Sequence, residues 1–245
     1  MPHDFLSNIR NDLAEPDRTR NLNRQLFTLI APRYDRATRV LSLGRDSCWK
    51  RYLVRKLPAM ATPVCVDLAC GTGDLTRLLA GRYPDGTVTG LDLTEAMLDQ
   101  ARQRGQPSAV RYAAGDMAHT GLPADSVDIV TGSYALRNAG DLKEALHEVH
   151  RILKPGGIAA FLDFSKPANP PGQRISLALL RLWGSLWGWL LHRDPRVYAY
   201  IADSLARYPD RRQLAALLHD TGFTVRSTRH AFAGLIECLV VEKRQ

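Results

Sequence analysis

The amino-acid sequence predicts an α/β fold with a mostly parallel sheet, and three observations lead to that prediction. From residue 64 onward, apolar runs of strand length alternate with amphipathic helical stretches, which is the pattern of a parallel sheet with crossover helices. The chain has 245 residues, of which 45% are hydrophobic and 24% charged, as expected for a globular protein with one large core. Two strand-like runs, 222–232 and 235–243, end the chain and are expected to form an antiparallel hairpin.

The predicted elements follow in a regular order. Before residue 60, two or three helical segments are expected to form an N-terminal helical cap over 1–60, and the apolar residues of one of them recur at helical spacing. That stripe is most simply explained by packing, with ligand contact confined to its end near Tyr34. The remaining domain is expected to span 61–245, with a helical insertion at about 173–206. Strand-like runs lie at 64–70, 88–93, 110–115, 127–132 and 158–164, helix-like runs at 74–83, 95–104 and 141–153, and the cap stripe comprises Leu22, Leu26, Phe27 and Ile30.

Glycine and proline mark one boundary clearly. Lys154-Pro155-Gly156-Gly157 follows a helical run and precedes an apolar one. Glycine suits a helix C-terminus and proline cannot continue a helix, so a helix-to-strand passage is predicted there.

Charge and cysteine content narrow the class of partner. The formal net charge is +8, which suits an anionic membrane face or phosphates. The cations are interspersed with acids, so nucleic-acid binding is not favoured. Four cysteines show no C-x-x-C pair, which is typical of a reducing compartment. The N-terminus has no apolar run of signal-peptide length, so a cytoplasmic location is expected.

A glycine-rich loop follows the first strand of the predicted sheet. Val64 to Leu68 run into Ala69-Cys70-Gly71-Thr72-Gly73-Asp74 and then into a helix, which predicts a nucleotide loop at the carboxyl end of that strand. A dinucleotide fingerprint would place a third glycine where the chain has Thr76. Asp67 and Asp74 would repel a pyrophosphate, whereas they suit a ligand that carries an ammonium and a sulfonium. S-adenosylmethionine is such a ligand.

Two further carboxylates are expected beside the same ligand. Asp92 ends the second strand, 25 positions after Asp67, where a carboxylate can accept hydrogen bonds from both ribose hydroxyls. Asp116 follows the third strand and could accept from an adenine amino group, while Met117 packs on the ring. Each has a structural alternative, because Asp92 could cap the next helix and Asp116 a turn. NAD would use Asp92 as well, but the missing third glycine favours S-adenosylmethionine.

Several short motifs are spread over most of the chain. Together they resemble the ubiquinone/menaquinone biosynthesis C-methyltransferases, which are class I S-adenosylmethionine-dependent methyltransferases. The glycine loop and the K-P-G-G turn are widespread among methyltransferases, and the L-R-N and F-S-K-P pieces are more specific. The motifs are Ile30-Ala31-Pro32-Arg33-Tyr34-Asp35, Leu41-Ser42-Leu43-Gly44 with Trp49, Asp67 to Thr76, Gly90-Leu91-Asp92, Leu136-Arg137-Asn138, Arg151 to Gly157 and Phe164-Ser165-Lys166-Pro167.

The resemblance implies a Rossmann-like class I methyltransferase fold with a seven-stranded sheet. No His/Cys cluster in the sequence has metal-ligand spacing, so no metal is expected. It also implies C-methylation of a prenylated quinol such as demethylmenaquinol. Two alternatives stay open: a methyltransferase for a different small acceptor, such as a phenol, an amine or a lipid headgroup, and a cofactor-binding protein without turnover. A homo-oligomer also stays open. The expected cofactor-binding residues are Tyr34, Asp67, Gly71, Thr72, Gly73, Asp92, Leu93, Asp116, Met117 and Ser133.

The resemblance nominates Arg137 and Asn138 as catalytic residues. Methyl transfer is an in-line displacement that needs alignment of donor and acceptor, and a quinol carbon becomes nucleophilic when a neighbouring phenol loses its proton. Because a guanidinium keeps its own proton, Arg137 is expected to stabilise the phenolate while water carries the proton. The alternative for Arg137 is a structural ion pair with Asp141 or a neighbouring acid. His119 and His230 are weaker candidates for a base.

A tryptophan-rich segment, 175–191, carries one charge, Arg181. It is too short for a transmembrane span and is expected to be a core or lid helix, a wall for an isoprenoid tail, or an interfacial face on an anionic membrane. Its composition departs from the family pattern, as do Thr38 and the closing segment with Glu237 and Leu239, and these departures are expected to alter the acceptor pocket. The tryptophans are Trp183, Trp187 and Trp189, and the arginines expected at the headgroups are Arg174, Arg181, Arg193 and Arg196.

Overall fold

A seven-stranded sheet forms the centre of the computed structural model, which describes residues 4–105 and 107–244. The strand order is β3-β2-β1-β4-β5-β7-β6. Strands β1 to β5 are parallel, whereas β7 runs antiparallel to β5 and to β6. The predicted α/β class and the closing hairpin are therefore confirmed. The strands are β1 (Val64–Leu68), β2 (Thr87–Asp92), β3 (Val110–Ala114), β4 (Val127–Ser133), β5 (Leu153–Phe164), β6 (Phe223–Ala231) and β7 (Ile236–Lys243).

Helices cover both faces of this sheet, because β1 buries side chains on both sides. Cys65 packs with Leu79 and Leu98 on one face, whereas Val66 packs with Leu146 and Leu205 on the other. A parallel strand buried on both faces reads as a continuous apolar run, which is why the strands were visible in the sequence. The helices are α1 (Ile9–Asp12), α2 (Pro16–Ile30), α3 (Tyr34–Leu41), α4 (Asp46–Arg55), α5 (Asp74–Arg82), α6 (Glu95–Gln103), α7 (Leu142–Ile152), α8 (Pro170–His192), α9 (Arg196–Arg207) and α10 (Arg211–Asp220), with 3₁₀ turns at Asp4–Leu6, Ala31–Arg33, Leu136–Asn138 and Phe232–Gly234.

The N-terminal helices lie over the carboxyl ends of the strands. The predicted stripe on α2 is buried through Leu22, Leu26 and Ile30, and it packs against Met97 of α6 and Val197 of α9. Phe27, the fourth member of the stripe, is only half-buried beside this cluster. One edge of α2 therefore stays free to face a ligand.

The K-P-G-G passage differs in one detail from the prediction. Helix α7 ends at Ile152 as expected, but β5 already begins at Leu153. Leu153 pairs with Val127 and Ile158 with Ile129, so the intervening residues bulge out of the ladder. Gly156, with φ +74°, supplies the left-handed backbone that this bulge requires.

Helices α8 and α9 form an antiparallel pair that follows β5. Helix α8 begins at Pro170, earlier than the predicted insertion, because proline suits the first helical turn and the side chain of Asn169 accepts a hydrogen bond from the Gly172 N–H. The pair packs at very short range, since a Cβ on Gly184 would overlap the carbonyl oxygen of Tyr198. In the described part of the chain, no helix combines the length and the hydropathy needed to cross a bilayer.

We expect Gly184→Ala to lower the free energy of unfolding by about 1–3 kcal/mol, because the added methyl group pushes α8 away from the backbone of α9. Gly81→Ala is the matched control. Gly81 also lies in a helix, but a Cβ there would meet nothing within 4 Å, so alanine should raise stability by about 0.5 kcal/mol. Urea denaturation measures the change in the free energy of unfolding for both variants. A change of the same sign in both would show that α8 and α9 do not pack as described.

Candidate functional site

Two cavities meet where the N-terminal helices cover the carboxyl ends of the strands. The first, which we name the Asp92 cavity, has a volume of about 630 Å³ with its open mouth included. Side chains of Phe27, Tyr34 and Tyr134 line both cavities and form their junction. The Asp92 cavity is lined by Arg20, Asn23, Phe27, Tyr34, Ala69, Gly71, Asp92, Leu93, Thr94, Met97, Gly115, Asp116, Met117, Ser133, Tyr134, Asn138, Ala139 and Gly140.

Asp92 holds the glycine loop in place while it lines this cavity. Its Oδ2 accepts from the Gly71 N–H at 2.8 Å and its Oδ1 accepts from the Thr94 N–H at 2.9 Å. Burial raises the pKa of Asp92 to about 6, although both backbone hydrogen bonds favour the charged form. Asp92 is not the N-cap of α6, which is Thr94; its bond to the Thr94 N–H closes the turn just before that helix, and Asp92 also lies in the cavity wall.

Asp116 and Met117 line the same cavity and follow β3, the strand next to β2. Asp116 Oδ1 accepts from the Ala118 N–H at 2.9 Å, so the predicted turn-capping alternative is present as well. Its Oδ2 lies 3.6 Å from Arg20 Nε. The Nη1 of Arg20 is buried and lies 3.8 Å from Glu144 Oε2, and none of the described residues accepts a hydrogen bond from it.

Three of the residues expected to bind the cofactor do not lie in the cavity wall. Asp67 is fully buried and accepts from Thr76 Oγ1 and Thr131 Oγ1 at 2.7 and 2.8 Å, and burial raises its pKa. Thr72 Oγ1 donates to Asp35 of α3 at 2.7 Å. Gly73 has φ +78°, and a Cβ there would overlap the Tyr112 hydroxyl. These residues shape the loop from behind and tie it to α3.

The sequence did not single out the contribution of α2. Arg20, Asn23 and Phe27 line the Asp92 cavity, but in the sequence they look like ordinary positions of an amphipathic helix. The apolar stripe on α2 predicts that this helix packs against the rest of the protein. Which of its other residues then face a cavity depends on the tertiary structure, which the stripe does not specify. Of the residues expected at the cofactor, Tyr34, Gly71, Asp92, Leu93, Asp116, Met117 and Ser133 do line the cavity.

The side chains of the Asp92 cavity fit S-adenosylmethionine chemically. A carboxylate at the end of β2 offers acceptors for ribose hydroxyls, and the apolar side chains of Leu93, Met97 and Met117 offer surfaces for an adenine ring. Two carboxylates in the wall suit a cationic ligand better than a pyrophosphate.

The second cavity, the apolar cavity, opens beyond the junction and has a volume of about 890 Å³ with its mouth included. Helices α2, α3 and α4 supply one wall, α8 and α9 the other. Among the described residues that line it, Arg137 alone is charged. It is lined by Leu26, Phe27, Ile30, Tyr34, Ala37, Thr38, Leu41, Ser42, Trp49, Tyr134, Arg137, Phe164, Leu180, Trp183, Gly184, Val197, Tyr198, Tyr200, Ile201, Phe232 and Ile236.

Arg137 is held rigidly at the inner end of the apolar cavity. Its side chain is 6% exposed, with Nε 3.4 Å from Asp163 Oδ1 and Nη1 donating to Ser204 Oγ at 2.7 Å. The guanidinium lies over the Phe164 ring, 5.2 Å from its centroid. Burial raises the pKa of Asp163 to about 6, with Arg137 acting in the opposite direction. The ion pair anticipated as an alternative is thus made with Asp163, whereas Asp141 caps α7.

Asn138 joins the cap to the insertion. Its Nδ2 donates to the Tyr134 carbonyl at 2.8 Å, its Oδ1 accepts from Tyr200 at 3.0 Å, and its own carbonyl accepts from Asn23 at 2.7 Å. Asn138 lines the Asp92 cavity rather than the apolar cavity. Its contacts are those of a residue that fixes the junction.

Other candidates lie elsewhere. The side chain of His119 is 64% exposed and pairs with Glu144, and His230 lies 3.2 Å from Glu237. Neither histidine lines the Asp92 cavity or the apolar cavity. Glu237, expected to alter the pocket, instead pairs with its neighbour across β6 and β7, since the two residues are in register. Of the departures from the family pattern, Thr38 and the tryptophan-rich segment do line the apolar cavity.

The fold and the site together define a class. The chain is similar to an S-adenosylmethionine-dependent methyltransferase from Mesorhizobium loti, with a TM-score of 0.58 and 24% identity over 78% of this chain and 96% of that one. This likeness concerns the fold, which is that of the class I S-adenosylmethionine-dependent methyltransferases, as predicted.

Comparisons of sequence narrow the class to a family. A model of the ubiE/COQ5 methyltransferase family matches residues 16–241. The chain is 36% identical to demethylmenaquinone methyltransferase of Lactobacillus johnsonii, over 81% of this chain and 83% of the relative. It is 34% identical to 2-phytyl-1,4-naphtoquinone methyltransferase of Nostoc punctiforme, over 89% of this chain and 96% of the relative. The chain belongs to the ubiE/COQ5 methyltransferase family and is an S-adenosylmethionine-dependent methyltransferase, which confirms the predicted enzyme class and cofactor.

Proposed function

We propose that this enzyme C-methylates the ring of a prenylated quinol, with demethylmenaquinol as the favoured acceptor. The observation that carries the proposal is the apolar cavity, which meets the Asp92 cavity at Tyr34 and contains a single charged residue, Arg137, among the described residues of its wall. An apolar cavity with one cation suits a hydrophobic molecule that develops one negative charge. The names of the two curated relatives point to the same acceptor class.

The proposed division of labour follows from the two cavities. S-adenosylmethionine, when bound, supplies a methyl group on a sulfonium. We propose that it is held by the ten residues expected from the sequence, with Asp67, Thr72 and Gly73 acting by shaping the loop. Arg137 stabilises the phenolate of the acceptor. Asn138 ties the junction between the cavities to α9 through its hydrogen bond with Tyr200. Phe27 and Tyr34 exclude water where donor and acceptor meet.

The chain also divides into parts with distinct roles under this proposal. We assign 1–60 as the cap, whose described residues contribute to the walls of both cavities, and 61–245 as the methyltransferase domain. The insertion at about 173–206 would supply the wall for the isoprenoid tail. Leu180, Trp183 and Gly184 of α8 are the residues that support a role for the tryptophan-rich segment in this wall.

The test of the function is turnover. Purified protein is incubated with labelled S-adenosylmethionine and a short-tailed demethylmenaquinol kept reduced, and products are followed by mass spectrometry. We expect a product methylated on a ring carbon. Cofactor binding without label transfer would remove the quinol and direct the search to small phenols, amines and lipid headgroups.

We further propose that the enzyme docks peripherally on an anionic membrane from the cytoplasmic side. The outward face of α8 exposes a stripe at helical spacing, with Leu182 72% and Trp189 50% exposed. Arg193 stacks on Trp189 with its guanidinium 5.3 Å from the ring centroid, an arrangement that suits the headgroup region. Two of the expected arginines are already paired, Arg181 with Asp203 and Arg196 with Asp194. The stripe comprises Ile175, Leu179, Leu182, Leu186, Trp189 and Leu190.

We expect Leu182→Glu with Leu186→Glu to lower the vesicle-bound fraction at least about 10-fold, because each leucine contributes about 1.5–3 kcal/mol when it is fully buried and the new charges repel anionic lipid. Co-sedimentation with phosphatidylglycerol vesicles at low salt measures this. Met60→Glu is the control, since Met60 is 40% exposed in a loop away from α8. Equal binding of the wild type, the double leucine variant and Met60→Glu would refute docking through α8.

A further inference from the structure

Two buried polar side chains, Asp46 and Lys50, lie behind the half-buried Tyr134 at the wall where the two cavities meet. The Tyr134 hydroxyl donates to Asp46 Oδ1 at 2.9 Å, and Asp46 Oδ2 lies 2.8 Å from Lys50 Nζ. Tyr134 comes directly after β4, whereas Asp46 and Lys50 lie one turn apart on α4. Only Tyr134 of the three reaches a cavity wall, and it reaches both.

The backbone at Tyr134 is adapted to this position. Tyr134 has φ +57°, a left-handed conformation that is unfavourable for a bulky residue and that recurs at functional sites. It is anchored by its N–H, which donates to the Leu162 carbonyl at 2.6 Å, and by its carbonyl, which accepts from Asn138. These bonds hold the ring against Phe164, with centroids 5.6 Å apart.

The surroundings keep Tyr134 neutral and Asp46 charged, which are the protonation states from which a relay starts. Asp46 and Lys50 are both almost fully buried, and a buried carboxylate is costly unless it is paired. Lys50 balances the charge of Asp46 and lies 3.5 Å from Asp74 as well. Burial, followed by the proximity of Asp46, holds the pKa of Tyr134 well above its usual range. The tyrosine therefore stays neutral, with a free lone pair on its oxygen.

We propose that Tyr134 and Asp46 form a proton relay for the ring hydroxyl of the acceptor. The proposal rests on the quinol function proposed above. The acceptor hydroxyl gives its proton to Tyr134 Oη while Tyr134 gives its own to Asp46 Oδ1. Arg137 stabilises the resulting phenolate, since Tyr134 and Arg137 both contact the Phe164 ring. The ring carbon then forms a bond to the methyl carbon as the carbon–sulfur bond breaks, which leaves a neutral thioether and a ring ketone. The ring carbon then releases its hydrogen as a proton to water, and the proton on Asp46 returns through Tyr134 to the ring oxygen. The overall reaction gives the methylated quinol and the thioether and releases one proton.

The test combines Tyr134→Phe, Asp46→Asn and the double variant. In steady-state assays with the short-tailed quinol we expect each single variant to lower kcat about 10²-fold, with cofactor affinity unchanged. KM should stay at the wild-type value in Asp46→Asn and rise only several-fold in Tyr134→Phe, which loses its contact with the acceptor hydroxyl. Because the two groups act in series, the double variant should lose no more than the singles. Tyr83→Phe is the control: Tyr83 is also buried, its hydroxyl donates to the Pro58 carbonyl at 2.6 Å, and it lines neither cavity. Its kcat should stay at the wild-type value.

Multiplicative losses in the double variant, or single variants with wild-type kcat, would overturn the relay. A binding measurement tests Tyr134 independently of turnover: the affinities of 1-naphthol and naphthalene are compared by calorimetry. Wild type and Asp46→Asn should prefer naphthol several-fold, since asparagine still accepts from Tyr134, and Tyr134→Phe should lose the preference. The same preference in all three proteins would overturn the contact even where the quinol proves to be the wrong acceptor.

Discussion

Arg137→Met, made together with Asp163→Asn, is expected to lower kcat by about 10²–10³-fold, the loss typical for one preorganised donor to a developing oxyanion. The affinity for S-adenosylmethionine should not change, because Arg137 lines the apolar cavity and not the Asp92 cavity. Steady-state kinetics with the short-tailed quinol and calorimetry with the cofactor measure the two quantities separately.

The second substitution keeps this experiment interpretable. Removing Arg137 alone would leave Asp163 buried without its cation, and such a loss costs about 3–5 kcal/mol. Arg181→Met with Asp203→Asn is the matched control, since this pair joins α8 to α9 and lines neither cavity. If both double variants lost the same activity, Arg137 would be a structural residue. Arg137→Lys, which keeps the charge but not the planar fork, should retain an intermediate kcat.

The parts of the site that could be predicted depend on local pattern. The place of Asp92 in a cavity wall was predictable because the carboxyl ends of parallel strands meet at one edge of a sheet, where ligands bind in open α/β sheets. The same reasoning misplaced Asp67. It lies inside β1, and its side chain points toward Thr131 on the neighbouring strand and Thr76 on the following helix. Thr76 occupies the position of the missing third glycine, so the residue that excluded a dinucleotide also supplies a hydrogen bond that Asp67 needs.

Contacts between distant parts of the chain could not be predicted from one sequence. Tyr134 and Asp46 are 88 positions apart, and no period or motif links them. Glu237 is a second example. Its departure from the family motif predicts a place at the acceptor pocket, whereas its environment is set by the register that places it beside His230. Local periodicity determines which residues are buried, and only packing determines which buried polar groups meet.

Asp92→Ala is expected to weaken S-adenosylmethionine binding about 10²-fold, because two charge-assisted hydrogen bonds to a ribose are worth about 1.5–3 kcal/mol each, and part of that is offset by water in the enlarged cavity. The substitution also frees the N–H groups of Gly71 and Thr94, so the glycine loop loses its fixed position. Asp128→Asn is the control: Asp128 likewise accepts from a backbone N–H, that of Val64, at 2.8 Å, but it lies outside both cavities.

The same carboxylate should make binding depend on pH. Burial raises the pKa of Asp92 to about 6, and ribose hydroxyls donate to its charged form. As pH falls through 6 the group takes up a proton, and the cofactor must displace that proton to bind, so the dissociation constant rises. Asp163 has a pKa of about 6 as well, but it pairs with Arg137 at the apolar cavity. Calorimetry between pH 5 and 7, below the range in which the α-amino group of the cofactor titrates, should therefore show weaker binding at low pH for the wild type and a flat profile for Asp92→Asn. A flat wild-type profile would mean that the Asp92 carboxylate does not contact the cofactor.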